Sequence, residues 1–127
     1  MLGDSGMAGI LEEGALAFKE ICRRDSNHYH LLDVRHGPMV QIGADTLVIA
    51  MVSSGERALQ EALLSDLAAK TGCLLVLDCA ADTSEPMPGT PIRLPACSSD
   101  DLRAIYALYC IQVICLHHAM FLSLIHI

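Results

Sequence analysis

The sequence predicts an α/β fold: a three-layer α/β/α sandwich with a parallel sheet, truncated at both ends. Residues 46–52 and 73–79 are continuous apolar, β-favouring runs, which is the pattern of strands covered on both faces. Between them, residues 56–70 form an amphipathic helix. Alternating strands and helices with short connections place helices on both faces of a parallel sheet. At 127 residues and 53% hydrophobic content, the chain is one domain with a sizeable core.

The first quarter of the chain predicts a strand stub and a helix. Residues 1–3 have the pattern of a strand end, because a Gly-containing turn follows them, and we expect the natural protein to start earlier. Residues 7–24 carry apolar side chains at three- and four-residue spacing, which is typical of a helix. Residues 25–28 are turn-prone, and they are also able to cap a short helix through Leu32 that ends before Gly37.

In the second half of the chain, Gly72 stands in the C-cap position of the helix at 56–70. The sequence then predicts a loop, a short strand and a last helix. Residues 82–89 are rich in proline and predict a loop, and the prolines of residues 91–95 allow only a short edge strand there. The Ser-Ser-Asp-Asp run at 98–101 is a helix N-cap signal, so the last helix begins at about Leu102.

Charge and cysteine content exclude several classes of protein. The formal net charge is -7 with only 8 Lys and Arg, so the chain lacks the basic surface that nucleic-acid binding needs. None of the six cysteines has a Cys-x-x-Cys partner, and most lie in apolar runs. This favours reduced, structural thiols in a cytoplasmic protein. The N-terminus has neither the basic flank nor the apolar core of a signal peptide.

The last 24 residues, 104–127, leave two interpretations open. They carry no Asp, Glu, Lys or Arg, and their length suffices to span a bilayer. Gln112, Ser123 and three histidines argue against a membrane span, as does the lack of a basic flank beyond Arg103. We expect a buried core helix and no membrane partner.

Three residues are candidates for acid–base chemistry. Glu13, Ala17 and Glu20 are spaced four and three apart, so they line one stripe of the first helix. One carboxylate of such a pair can act as a general base while the other holds substrate hydroxyls, although both also fit ordinary solvated glutamates. His36 stands in an Arg-His-Gly-Pro turn that holds its ring away from the chain, where imidazole is able to exchange protons near neutral pH.

Two further patterns have weaker functional interpretations. His28 and His30 lie one residue apart, but no third ligand is near them in sequence, so we predict no metal site. Residues 53–55, Ser-Ser-Gly, precede a helix and could bind an anion at its N-terminus. Because Glu56 opens that helix, we expect a capping role instead.

Four motifs occur in one order: Leu-Gly-Asp-Ser-Gly at 2–6, Glu-Gly-Ala-Leu at 13–16, Lys-Glu-Ile at 19–21 and Arg-His-Gly-Pro at 35–38. In order and separation they resemble the second sugar-isomerase (SIS) lobe of phosphosugar isomerases, in particular the isomerase lobe of glutamine:fructose-6-phosphate aminotransferases. The resemblance extends from Leu2 to about Ala119. It predicts a partial second SIS lobe at residues 1–119 and a divergent tail at residues 120–127.

The resemblance implies a function and a role for each candidate residue. The substrate would be a hexose 6-phosphate or an amino-sugar phosphate, and the lobe would pair with a first, phosphate-binding SIS lobe and form a homodimer. Glu20 matches the glutamate that moves a proton between sugar C1 and C2. His36 matches a histidine associated with ring opening that reaches the neighbouring subunit's site, and Glu13 matches a further acidic residue of the site. No cofactor is implied.

The chain also departs from that pattern. Ala17 stands where the aminotransferases have a lysine, and Asp33 replaces a glutamate before the His-Gly-Pro turn. An aldose–ketose isomerase or an amino-sugar deaminase therefore fits as well as an aminotransferase. The first lobe and the family's C-terminal tail are missing, so we expect the chain to be inactive alone. The alternative functions are a non-catalytic sugar-phosphate sensor with the same fold and a membrane-anchored protein.

Overall fold

The computed structural model describes residues 1–4, 7–53, 55–78, 87–95 and 100–124. Helices and strands alternate along the chain as predicted. Most of the predicted loop at 82–89 and the serines of the predicted N-cap at 98–101 lie outside the described residues. The elements are α1 (Ala8–Glu20), two 3-10 helices (Leu32–His36 and Pro38–Gln41), β1 (Leu47–Val52), α2 (Arg57–Ala68), β2 (Cys73–Asp78), β3 (Thr90–Arg93) and α3 (Asp100–Phe121).

The sheet is parallel, with the three strands in the order β1-β2-β3. A single residue, Leu2, continues it beyond β1: its N–H donates to the Ile49 carbonyl and its carbonyl accepts from the Met51 N–H, both at 2.8 Å. On its other side Leu2 forms a parallel bridge with Tyr29. The predicted strand stub at residues 1–3 is therefore confirmed, as is the edge position of β3 among the described strands.

Helices cover both faces of this sheet, which confirms the three-layer α/β/α prediction. Alternate residues of β1 and β2 point to opposite faces, as the twofold period of a strand requires. One core lies between the sheet and α2 and includes Val48, Ala50, Val52, Leu63, Leu64, Leu67, Leu74 and Val76. The other lies between the sheet and the α1–α3 pair and includes Leu11, Phe18, Ile49, Met51, Leu77, Ala107, Ile111 and Cys115.

Helices α1 and α3 pack closely because α1 has a glycine at the contact. A Cβ built on Gly14 would lie 2.8 Å from Ile111 Cγ2, closer than real Cβ contacts allow. The buried stripe of α3 consists of Ala107, Ile111, Cys115 and Ala119 at four-residue spacing. This stripe faces Leu11 and Phe18 of α1 in the same core cluster.

Two expectations about the first quarter of the chain are wrong. Helix α1 ends at Glu20 rather than at residue 24, because Arg23 adopts a left-handed φ of 54° and the Arg24 N–H turns back to the Phe18 carbonyl at 3.2 Å. A short helix through Leu32 does not form from residue 25, since Tyr29 is extended in its bridge to Leu2. The helical turns come later, at the two 3-10 helices.

The predicted Gly72 C-cap is also wrong. Helix α2 ends at Ala68, and its C-cap residue Ala69 keeps a right-handed conformation. Instead, Thr71 links the end of α2 to the sheet, because its hydroxyl donates to the Thr46 carbonyl and accepts from the Cys73 N–H. A side-chain hydroxyl thus ties the end of α2 to the sheet, and no left-handed glycine is needed.

Helix α3 carries a second, exposed apolar stripe, which includes Leu102, Ile105, Tyr109, Leu116 and Met120. By length and composition, the stretch Leu102–Phe121 would suffice to cross a membrane. However, its opposite stripe is a layer of the α/β core, and one such helix is weak evidence of a membrane span. The helix continues to Phe121, past residue 119, and the predicted boundary of a divergent tail there stays a prediction.

Candidate functional site

Helix α1 presents both candidate glutamates to solvent. Leu11, Ala15 and Phe18 anchor one face of the helix in the core, which turns Glu13 and Glu20 outwards. They are seven positions apart in the helix, so they lie about 10 Å apart along the axis. Among the described residues, neither carboxylate has a hydrogen-bond or ion-pair partner. The pair is therefore free to contact two different parts of one polar ligand.

His36 lies at the end of the first 3-10 helix and is exposed. Gly37, with a φ of 142°, makes the turn into Pro38, a conformation that L side chains rarely adopt. An ion pair at 2.5 Å between Arg35 and Asp66 of α2 holds the turn from the other side. Val34 is buried in the core that α2 covers. The His36 turn is thus a supported element of the α2 layer.

The structure does not bring the three candidates together within one chain. Glu13 and Glu20 belong to the α1–α3 layer, whereas His36 belongs to the α2 layer on the opposite face of the sheet. A single site that uses both Glu20 and His36 must therefore combine residues of two chains, or residues from opposite faces of the sheet in one chain.

The end of β1 is organised by Gln60, a buried polar residue of α2 that sequence reasoning missed. The Ser53 N–H donates to Gln60 Oε1 at 3.1 Å, and Gln60 Nε2 donates to Ser53 Oγ at 2.9 Å and to the Gly55 carbonyl. Helix α2 begins after Glu56, whose side chain makes no capping hydrogen bond. The predicted capping role is therefore wrong for Ser53, and Ser54 lies outside the described residues.

A half-buried ion pair closes the same edge of the sheet. Arg57, the first residue of α2, donates two hydrogen bonds to the Asp78 carboxylate at the end of β2, at 3.1 and 2.9 Å. The two side chains are 21% and 13% exposed. The sequence pattern could have placed Arg57 near Asp78, because the end of a parallel strand and the start of the preceding crossover helix meet at one sheet edge. Identifying the two as an ion pair required the register of β1 with β2.

Asp4 is a second residue that sequence reasoning missed. Its Oδ1 accepts the Leu31 N–H at 2.9 Å and lies 3.5 Å from His30 Nδ1. The carboxylate thereby ties the start of the chain to the segment that leads into the His36 turn. In the part of the chain that the structure describes, no cluster of three His, Cys, Asp or Glu side chains could hold a metal ion.

A cavity of about 710 Å³ opens near the amino end of β1. Its wall includes Phe18, Tyr29, Asp45, Thr46 and His118. None of Glu13, Glu20 or His36 lines it. We therefore do not assign the candidate site to this cavity.

Comparisons with known proteins identify the fold. No family model matches the chain, and no curated protein matches it. Among solved structures, the C-terminal domain of glucosamine-fructose-6-phosphate aminotransferase from Francisella tularensis superimposes with a TM-score of 0.77 at 21% identity, over 94% of this chain and 34% of that one. Tagatose-6-phosphate ketose/aldose isomerase from Escherichia coli gives 0.66 at 27% identity, over 91% and 34%.

A third structure, an Escherichia coli protein in complex with arabinose 5-phosphate, gives a TM-score of 0.74 at 20% identity, over 98% of this chain and 70% of that one. The chain spans about a third of the length of the first structures it matches. These likenesses show that the chain has the fold of an SIS-like domain, as its motifs predict.

Proposed function

We propose that this chain is the second SIS lobe of a cytoplasmic phosphosugar isomerase, aminotransferase or deaminase, with Glu20 as the base that moves a proton between adjacent sugar carbons. The observation that carries the proposal is the exposed face of α1. It holds Glu13 and Glu20 free of intramolecular partners in the described structure, while the other face anchors the helix rigidly in the core.

The surroundings of Glu20 suit an anionic sugar. Lys19, Arg23 and Arg24 are exposed and lie within four residues of Glu20. These cations are available to offset the charge of a phosphate ester and of an enediolate. One of the structures with this fold holds arabinose 5-phosphate, a sugar phosphate, which supports the same substrate class.

The proposed reaction needs a single base. The Glu20 carboxylate takes the proton from C2 of an open-chain aldose phosphate, the electron pair of the C–H bond forms the C1–C2 double bond, and the π pair of the C1 carbonyl moves to O1, which gives an enediolate. The proton of the C2 hydroxyl passes to O1, O2 forms the new carbonyl, and the same carboxyl group returns its proton to C1, which leaves a ketose. Glu13 hydrogen-bonds hydroxyl groups farther along the chain of the sugar, and His36 exchanges the proton that accompanies ring opening.

The layer positions favour a dimeric site. Because His36 lies across the sheet from Glu20, we propose that it serves the active site of a neighbouring subunit. The exposed setting of Glu20 likewise calls for a second surface that excludes water, and we assign that role to a first SIS lobe. We expect the 127-residue chain alone to be inactive, so robust isomerisation of fructose 6-phosphate by it would contradict the proposal.

The deciding experiment compares Glu20→Gln with Glu12→Gln in the full-length protein. Glu12 is exposed on the same helix but lies off the stripe of Glu13 and Glu20, so it is a matched control. We expect Glu20→Gln to lower kcat by about 10²- to 10⁴-fold. Substrate binding should persist, and Glu12→Gln should keep wild-type turnover. Deuterium uptake from D₂O at C1 of the ketose product, followed by NMR, reports the proton step directly.

Two outcomes would overturn the base assignment. In one, Glu20→Gln retains turnover and deuterium exchange. In the other, wild type and variant both bind hexose 6-phosphate in calorimetry but exchange no proton. The second outcome would support the non-catalytic sugar-phosphate sensor instead.

A further inference from the structure

Two buried cysteines meet where α1 ends against α3. Cys22 follows the last turn of α1, and Cys115 lies in the buried stripe of α3; each is only 1% exposed. Their Sγ atoms are 3.4 Å apart, and the Cys22 Sγ also donates to the Cys115 carbonyl at 3.3 Å. The proposed isomerase reaction uses neither thiol.

The contact is short enough for a covalent bond to form after a small movement. A disulfide has its sulfurs about 2.05 Å apart, so the two must approach by about 1.4 Å. Cys22 is placed to move, because it lies in the bend between Ile21 and Arg23, which are both exposed. Cys115 is fixed within a continuous helix.

We propose that Cys22 and Cys115 are a modification site: under oxidation by a peroxide they form an intramolecular disulfide that fastens the end of α1 to α3. In the resting state both sulfurs are free thiols. Burial and the neighbouring Cys22 raise the pKa of Cys115 to about 12, so Cys115 is a thiol at neutral pH. It therefore does not start the reaction.

The chemistry balances with hydrogen peroxide as the oxidant. When the bend at residues 21–24 opens, the Cys22 sulfur attacks one peroxide oxygen, the O–O bond breaks, and a sulfenic acid and one water form. The Cys115 sulfur then attacks the Cys22 sulfur, the S–O bond breaks, and the departing oxygen leaves as a second water with the proton of Cys115. Each sulfur loses one electron, and the peroxide gains two.

The disulfide would stabilise the folded chain. It joins residues 93 positions apart, and closing so long a loop restricts the unfolded chain strongly. We expect the melting temperature to rise by roughly 5–15 °C on oxidation and to fall back with dithiothreitol.

The test uses the wild-type chain first. Folded protein is treated with hydrogen peroxide, its remaining thiols are blocked with N-ethylmaleimide in denaturant, and it is digested without reductant. The expected product is a peptide pair joined through Cys22 and Cys115 that dithiothreitol separates. The proposal is overturned if this pair is absent at a peroxide dose that oxidises the exposed Cys73 fully.

Two variants check that the stability change belongs to this pair. Cys22→Ser should melt at the same temperature with and without peroxide, whereas Cys110→Ser, which alters a half-buried thiol about one turn away on α3, should behave like wild type. A rise in melting temperature that persists in Cys22→Ser would contradict the proposal. If Cys22→Ser fails to fold, the wild-type peptide map still decides.

Discussion

Helix α1 and the His36 turn lie on opposite faces of one sheet and hold their candidate side chains by different means. Glu13 and Glu20 depend on the regular geometry of a helix whose other face is buried. His36 depends on an irregular turn that Gly37, Pro38 and the Arg35–Asp66 ion pair support. The two sets of candidate side chains therefore lie in different layers, and under the proposed function a site that uses both combines residues of two chains.

Subunit mixing provides the strongest test of this separation. In the full-length protein, Glu20→Gln and His36→Ala should each abolish most activity. If the two residues serve different sites of a dimer, random mixing of the variants makes half of the dimers hybrid, and each hybrid regains one intact site. We expect roughly a quarter of wild-type activity to return. No recovery on mixing would place both residues of one chain in the same site.

The two layers should contribute comparably to stability. Leu63 of α2 and Leu11 of α1 are 0% and 1% exposed, in separate cores. Replacing either by alanine should lower the free energy of unfolding by about 2–5 kcal/mol, measured by urea denaturation.

Leu59→Ala and Leu16→Ala are the matched controls, since these side chains are 50% and 46% exposed. Each should cost less than about 1 kcal/mol. A loss at Leu11 as small as that at Leu16 would mean that α1 is not anchored as described.

The two ion pairs should differ in strength because they differ in burial. Asp78→Asn leaves Arg57 without its bidentate partner in a half-buried setting, and we expect a loss of about 2–3 kcal/mol. Asp66→Asn removes an exposed partner of Arg35 and should cost less than about 1 kcal/mol, a difference that high salt reduces further. Equal losses in thermal or urea unfolding would contradict this ranking.

The turn beside His36 provides a separate test of how that side chain is held. Gly37→Ala forces a side chain into a φ of 142° and should cost about 1–3 kcal/mol. Gly43→Ala, at a glycine without a positive φ and with open space around it, should change stability by less than about 0.5 kcal/mol. If both variants unfold at the same urea concentration, the turn is not held by the conformation of Gly37.

Local patterns sufficed to predict much of the fold. The runs that became β1 and β2 are apolar at successive positions because both of their faces are covered, so the pattern alone indicates central strands. The strand stub at Leu2 could be predicted as well, since a turn and a helix follow it. Helical spacing predicted that Glu13 and Glu20 share one stripe of α1. The stripe is exposed because the other face of the helix is buried in the core.

The predictions that failed concern backbone conformations and contacts that local sequence patterns do not encode. The end of α1 depends on Arg23, a non-glycine residue in a left-handed conformation that composition does not reveal. The end of α2 depends on a hydroxyl contact from Thr71 to the start of β1, 25 residues away. The Arg57–Asp78 pair depends on the placement of β2 beside β1 in the same way.

The sequence by itself determined the α/β class, the order of its elements, the buried faces and the motif set typical of SIS lobes, because each of these depends on periodicity or spacing along the chain. The tertiary structure alone decided that Glu20 and His36 lie in different layers and that Cys22 meets Cys115. Those placements arise from hydrogen bonds and packing between residues far apart in the sequence, which local patterns do not encode.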